Sequence, residues 1–152
     1  MRLEEKVLKK FTQEGQTLAL AESCTGGLIA HSLTNVPGSS AFFLLSITAY
    51  DNAAKTKLLS VPSSLIQKHG AVSPAVAMAM AQGVRQILKT DYGLSVTGIA
   101  GPGGGSKAKP VGLVFIAMST QQKTIVKKCF FKGSRLAIKK QASETALKML
   151  AK

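Results

Sequence analysis

Two apolar runs in this chain break into glycine turns, and that pair narrows the fold more than any other feature. Thr17–Glu22 (TLALAE) runs into Ser23-Cys24-Thr25-Gly26-Gly27 and then a helical stretch. Tyr92–Thr97 (YGLSVT) runs into the glycine-rich segment from Gly98 to Gly105. Apolar strands alternating with helices across short turns belong to α/β sheets. In open sheets of that class, ligands collect outside the carboxyl ends of the strands, so both junctions are expected to line one crevice.

The remaining segments fit around those two. Leu3, Val7, Leu8 and Phe11 at helical spacing predict a helix over 2–14, stopped by Gly15. Phe42–Tyr50 (FFLLSITAY) reads as a buried strand, after which Asp51 is placed to cap a short helix carrying Lys55 and Leu58. Pro62 suits the first position of a further helix ending at Gly70, and Ser73-Pro74 opens a long Ala/Met-rich one to about Lys89. Strands are predicted over 111–119 and 124–131, joined as a hairpin at Gln121-Gln122. A last helix starts near Ser134. This order predicts a three-layer α/β/α sandwich with a mixed sheet.

Size and composition exclude several classes. The 152 residues, 45% of them hydrophobic, suffice for one domain with a real core, expected to cover 1–152. Two cysteines, Cys24 and Cys129, make no disulfide framework, and His31 and His69 make a poor metal set. No secretory leader or membrane-length apolar run is visible, which predicts a cytoplasmic protein with no membrane partner. The net charge is +13, and residues 123–152 hold nine basic residues against the single acid Glu144. A tail of that kind suits a nucleic acid or another polyanion, but only Phe130 and Phe131 offer rings for base stacking there.

The junctions themselves carry no nucleotide signature. Gly103 stands five residues after Gly98, but Gly104 occupies the place where a Walker loop needs Lys. At the first junction, glycines admit a ligand to the backbone and free N–H groups suit an oxyanion, although a simple hydroxyl-capped helix has the same pattern. Among nucleophiles, Cys24 and His31 are seven residues apart, roughly 10 Å along a helix, beyond direct activation. Ser23 has no His-Asp pair. Lys55, near the start of a helix where positive potential depresses its pKa, is a candidate base for Ser23, with Tyr50 as proton relay.

The strings AESCTGG at 21–27, AYDNAAK at 49–55, GAVS at 70–73, TGIAGPGGG at 97–105, KPVG at 109–112 and FKGSR at 131–135 resemble the CinA C-terminal domain family. Their order is the family's order, and the likeness spans about residues 17–145. A chain this short is similar to the stand-alone form. The resemblance implies a five-stranded mixed sheet, a homodimer, no metal and no cofactor. It further implies hydrolysis of the carboxamide of nicotinamide mononucleotide to nicotinate mononucleotide and ammonia. Carried over by motif, Ser23 is the expected nucleophile, Lys55 its base and Tyr50 its relay, with Thr97 and Arg135 completing the site. Thr25, Gly26 and Gly27 are expected to hold the oxyanion. Gly98, Ala100 and Gly101, with Arg135, are expected to hold the substrate's phosphate. The chain departs from the family pattern at Asp51, commonly Ser, and at Ala53, commonly Glu. An acid at position 51 that faced Lys55 would raise the lysine pKa.

Overall fold

The computed structural model describes residues 1–152. Its five strands are β1 (Leu18–Glu22), β2 (Phe43–Thr48), β3 (Tyr92–Gly98), β4 (Leu113–Ser119) and β5 (Thr124–Phe130). Its helices are α1 (Leu3–Glu14), α2 (Leu28–Thr34), α3 (Asn52–Leu59), α4 (Ser63–His69), α5 (Pro74–Leu88) and α6 (Arg135–Ala151). The strands form one sheet in the order β2-β1-β3-β4-β5. β1 runs parallel to both β2 and β3, whereas β4 pairs antiparallel with β3 and with β5. The sheet is therefore mixed, as expected.

Side-chain alternation divides the core between two faces. Leu18 and Leu20 of β1, with Leu94 and Val96 of β3, pack under α1, α2 and α6 through Phe11, Ile29, Leu33 and Ile138. Ala19 and Ala21 point the other way, against Leu59 of α3 and Val76, Met80 and Val84 of α5. The small residues on that second face let α5 approach closely. A Cβ on Gly93 would overlap the Ala81 carbonyl oxygen. No helix is long and apolar enough to cross a membrane.

Three helices, α3, α5 and α6, are capped by the side chain of the residue just before them. Asp51 accepts from Ala53 N at 3.0 Å, Ser73 from Val76 N at 3.3 Å and Ser134 from Ala137 N at 3.2 Å. Pro62 occupies the cap of α4 itself, one place earlier than expected, and its fixed φ of −59° is compatible with either position. The strand expected over 42–50 is shorter and is not buried. β2 is an edge strand, Leu44 is 45% exposed, and only Phe42 and Ala49 at its flanks are buried. A continuous apolar run identifies a strand but carries no information on its place in the sheet.

This topology positions the site. The chain leaves β1 through α2 to reach β2 on one side, then returns through α3, α4 and α5 to β3 on the other. The carboxyl ends of β1 and β3 thus lie side by side where the two connections diverge, the usual location of a ligand crevice in an open parallel sheet.

Candidate active site

A cavity of about 270 Å³ opens at that point, lined by Ser23, Tyr50, Lys55, Thr97, the Gly98–Gly101 loop and Arg135 among others. This is at the lower end of ligand-pocket volumes and suits a small molecule. A larger depression of about 580 Å³ at the opposite pole is lined by Gln16, Arg85, Asp91 and Gln121. It contains no nucleophile paired with a base and lies away from the carboxyl ends of the parallel strands.

At the floor of the smaller cavity, Lys55 Nζ lies 3.1 Å from Ser23 Oγ. Two further contacts reach backbone carbonyl oxygens, Ala49 at 2.9 Å and Tyr50 at 3.2 Å. Lys55 is 2% exposed, so folding withdraws nearly all of its side chain from bulk water and leaves it facing the cavity floor. Burial pushes its pKa below the ordinary lysine value; the Asp51 carboxylate, and then Cys24, oppose that shift without reversing it. Asp51 is therefore both a helix cap and the main charge opposing the depression. Ser23 sits directly after β1. Its N–H donates to Val96 O at 3.0 Å and its carbonyl accepts from Gly26 N at 3.1 Å, which fixes its backbone on both sides.

The other expected residues fall as follows. Thr97 is buried, and its hydroxyl donates to Ala71 O at 3.0 Å, tying the end of β3 to the loop before α5. Arg135, at the start of α6, reaches across the mouth. Its Nη1 donates to Gly101 O at 2.6 Å and its Nη2 to the Tyr50 hydroxyl at 2.8 Å. The Tyr50 side chain is 61% exposed, and its hydroxyl bonds to Arg135; Lys55 meets only the Tyr50 backbone. The N–H groups of Ala100 and Gly101 make no hydrogen bond within the chain.

The Thr25–Gly27 turn differs from the expected oxyanion cradle. Gly26 N already donates to Ser23 O, and Gly27 N donates to Glu22 Oε1 at 3.2 Å. The backbone N–H groups that make no bond within the chain are those of Cys24 and Thr25. Sequence reading passed over Glu22, whose buried carboxylate takes up the Gly27 N–H and the Thr25 hydroxyl of the turn. An acid at the end of an otherwise apolar strand was the available signal. It also gave no role to Asn52, Ala71 and Val72, which line the cavity from within the AYDNAAK and GAVS strings. Cys24 lines the cavity too, but burial, with Glu22 adding to it, pushes its thiol up to about 12, so it is protonated and not a nucleophile.

Comparison with known proteins converges on one family. The CinA C-terminal domain family matches residues 1–152. A CinA-like protein of Desulfotalea psychrophila is 54% identical over 140 residues, covering 92% of this chain and 34% of its own length. A CinA-like protein of Geobacter metallireducens is 53% identical over 144 residues, covering 95% of this chain and 35% of its own. The chain thus spans about a third of the length of these curated relatives. Among solved structures, the competence/damage inducible protein CihA of Agrobacterium tumefaciens superposes with a TM-score of 0.92 at 39% identity, over 97% of this chain and 91% of that one. The competence damage-inducible protein A of Klebsiella pneumoniae superposes with a TM-score of 0.95 at 31% identity, over 98% of this chain and 92% of that one. With the family's model matched over its whole length, this chain belongs to the CinA C-terminal domain family.

Proposed function

We propose that this chain is a serine amidohydrolase that deamidates nicotinamide mononucleotide, with Ser23 as nucleophile and Lys55 as its base. The observation that carries the reading is the buried Lys55 amine, 3.1 Å from Ser23 Oγ. A neutral amine has two N–H donors and one lone pair. The Ala49 and Tyr50 carbonyl oxygens can take both donors, leaving the lone pair for the Ser23 hydroxyl proton. Burial favours that neutral form.

In this mechanism Lys55 accepts the Ser23 proton as Oγ attacks the carboxamide carbon. The resulting oxyanion takes hydrogen bonds from the Cys24 and Thr25 N–H groups, which have no other partner in the chain. The tetrahedral intermediate collapses with cleavage of the C–N bond, and the proton held on Lys55 passes to the departing ammonia. Water, deprotonated by the same amine, then attacks the ester carbon; the Ser23 Cβ-bound oxygen leaves and takes back the proton from Lys55, which frees nicotinate mononucleotide and restores the serine and the neutral amine. Arg135, with the unpaired N–H groups of Ala100 and Gly101, is the proposed phosphate subsite. On phosphate binding, Arg135 would release the Tyr50 hydroxyl for its proposed part in proton transfer.

The test is ammonia release from nicotinamide mononucleotide by the wild type and by Ser23→Ala, with folding checked by thermal melting. Turnover that disappears in a folded Ser23→Ala supports the reading. A folded wild type that releases no ammonia overturns the substrate assignment. The competing reading is a non-catalytic module that binds a polyanion, favoured by the exposed Lys127 and Lys128 on edge strand β5, where Lys128 Nζ stands 5.2 Å from the Phe130 ring centroid. It predicts binding that falls steeply with salt, which turnover of a small substrate does not.

A further inference from the structure

Glu22 is the one carboxylate with no exposure at all, and no lysine or arginine forms an ion pair with it. It is the last residue of β1, and strand alternation turns its side chain toward α2 while Ser23 follows toward the cavity. Oε1 accepts from Thr25 Oγ1 at 2.6 Å, Gly27 N at 3.2 Å and Ile29 N at 3.1 Å. Oε2 accepts from Ala30 N at 3.0 Å. One side chain thus gathers the free amides at the start of α2 and anchors them to the end of the strand.

A hydroxyl cap would satisfy one such amide. This carboxylate closes a ring through its own backbone, Ser23, the turn and Thr25. Four donors compensate the buried charge that no cation meets. Inside that ring the Ser23 backbone has its two hydrogen bonds, and only the Cys24 and Thr25 N–H groups are left without an acceptor.

We propose that Glu22 is a positioning residue for the nucleophile turn. It holds Ser23 Oγ toward Lys55, and by occupying Gly27 N it limits the oxyanion donors to Cys24 and Thr25. The proposal rests on the serine reading above and names a residue that acts through Ser23 without touching substrate. It also means that this glycine turn does not bind the substrate's phosphate, because the chain's own anion already occupies it.

The experiment compares full-length wild type, Glu22→Gln, Thr25→Val and Ser23→Ala. The readouts are melting temperature, kcat and KM on nicotinamide mononucleotide, and the rate of labelling by a fluorophosphonate probe, which reports serine reactivity whatever the substrate. Glu22→Gln keeps the shape but presents an amide N–H to other donors. A misplaced nucleophile costs on the order of 100-fold. The expected result is a kcat and a labelling rate lowered by about that factor with KM unchanged, and a smaller loss in the same direction for Thr25→Val. A folded Glu22→Gln with wild-type kcat and labelling overturns the proposal. If Glu22→Gln does not fold, wild-type labelling of Thr25→Val overturns it in the same way. Wild-type turnover by Ser23→Ala instead removes the serine reading itself, and Glu22 is then a helix cap alone.

Discussion

Lys55 Nζ and Ser23 Oγ meet at 3.1 Å across 32 residues of sequence and an intervening strand. Ser23 arrives on the turn after β1, and Lys55 arrives on the first turn of α3, after β2 has paired in parallel with β1. The contact therefore exists only because β1 and β2 are neighbours, and the side chain is buried only because α3 is packed against the sheet. Its chemistry follows from both facts.

Lys55→Met is expected to reduce turnover by about 10²–10⁴-fold, the usual contribution of a general base. In the wild type, kcat/KM should rise with pH through the lysine's folded pKa, which burial sets below the ordinary value of about 10.4. The variant should lose that limb. Stability follows the same sign: the unfolded chain holds the proton more tightly, so this group's contribution declines as pH falls from the ordinary lysine range toward the folded pKa. A pH–rate profile paired with melting at each pH checks both.

Asp51→Ser keeps a capping oxygen at the start of α3 but removes the charge that raises the Lys55 pKa. The acidic limb of kcat/KM should move to lower pH, with little change in melting temperature. Asp51→Ala should shift the limb in the same direction and also cost about 1 kcal/mol of stability through the lost cap. Urea unfolding of the two variants separates the effects.

Cys24 lines the cavity, yet its thiol is held up at about 12. Iodoacetamide at neutral pH should leave activity intact, and Cys24→Ala should retain turnover while losing a little stability from its small buried side chain. Rapid inactivation by the thiol reagent would contradict this.

Arg135 spans the mouth from Gly101 O to the Tyr50 hydroxyl. Arg135→Ala should raise KM for the mononucleotide by about 10–100-fold, as expected for a lost hydrogen bond to a charged group. It should leave the KM for the unphosphorylated nucleoside nearly unchanged. Competition by inorganic phosphate, present in the wild type and lost in the variant, provides the check.

Much of this arrangement was legible in residue order. Apolar runs bounded by turn residues and, for the last two, a polar Gln-Gln junction located all five strands, and Asp51, Ser73 and Ser134 marked helix starts that they do cap. Local sequence suffices there because turns and caps are decided within a few residues. The motif strings located the residues that line the cavity, Ser23, Lys55, Thr97 and Arg135 among them. Three things were not legible. Phe42–Tyr50 looked like a buried strand because an apolar run does not reveal whether a neighbour lies on both sides; β2 is an edge. The glycine turn looked like an oxyanion cradle across Thr25–Gly27, but Gly26 N is taken by Ser23 O and Gly27 N by the Glu22 carboxylate of the preceding strand, which leaves Thr25 N of the three. Asp51 looked equally able to cap a helix or to face Lys55, and it does the first while still acting on the second through space. Sequence alone therefore determined the order of elements and the inventory of reactive groups, since both are properties of neighbouring residues. The tertiary structure decided which donors remain free and where the lysine pKa lies, since burial and charge act across the sheet between residues far apart in the chain.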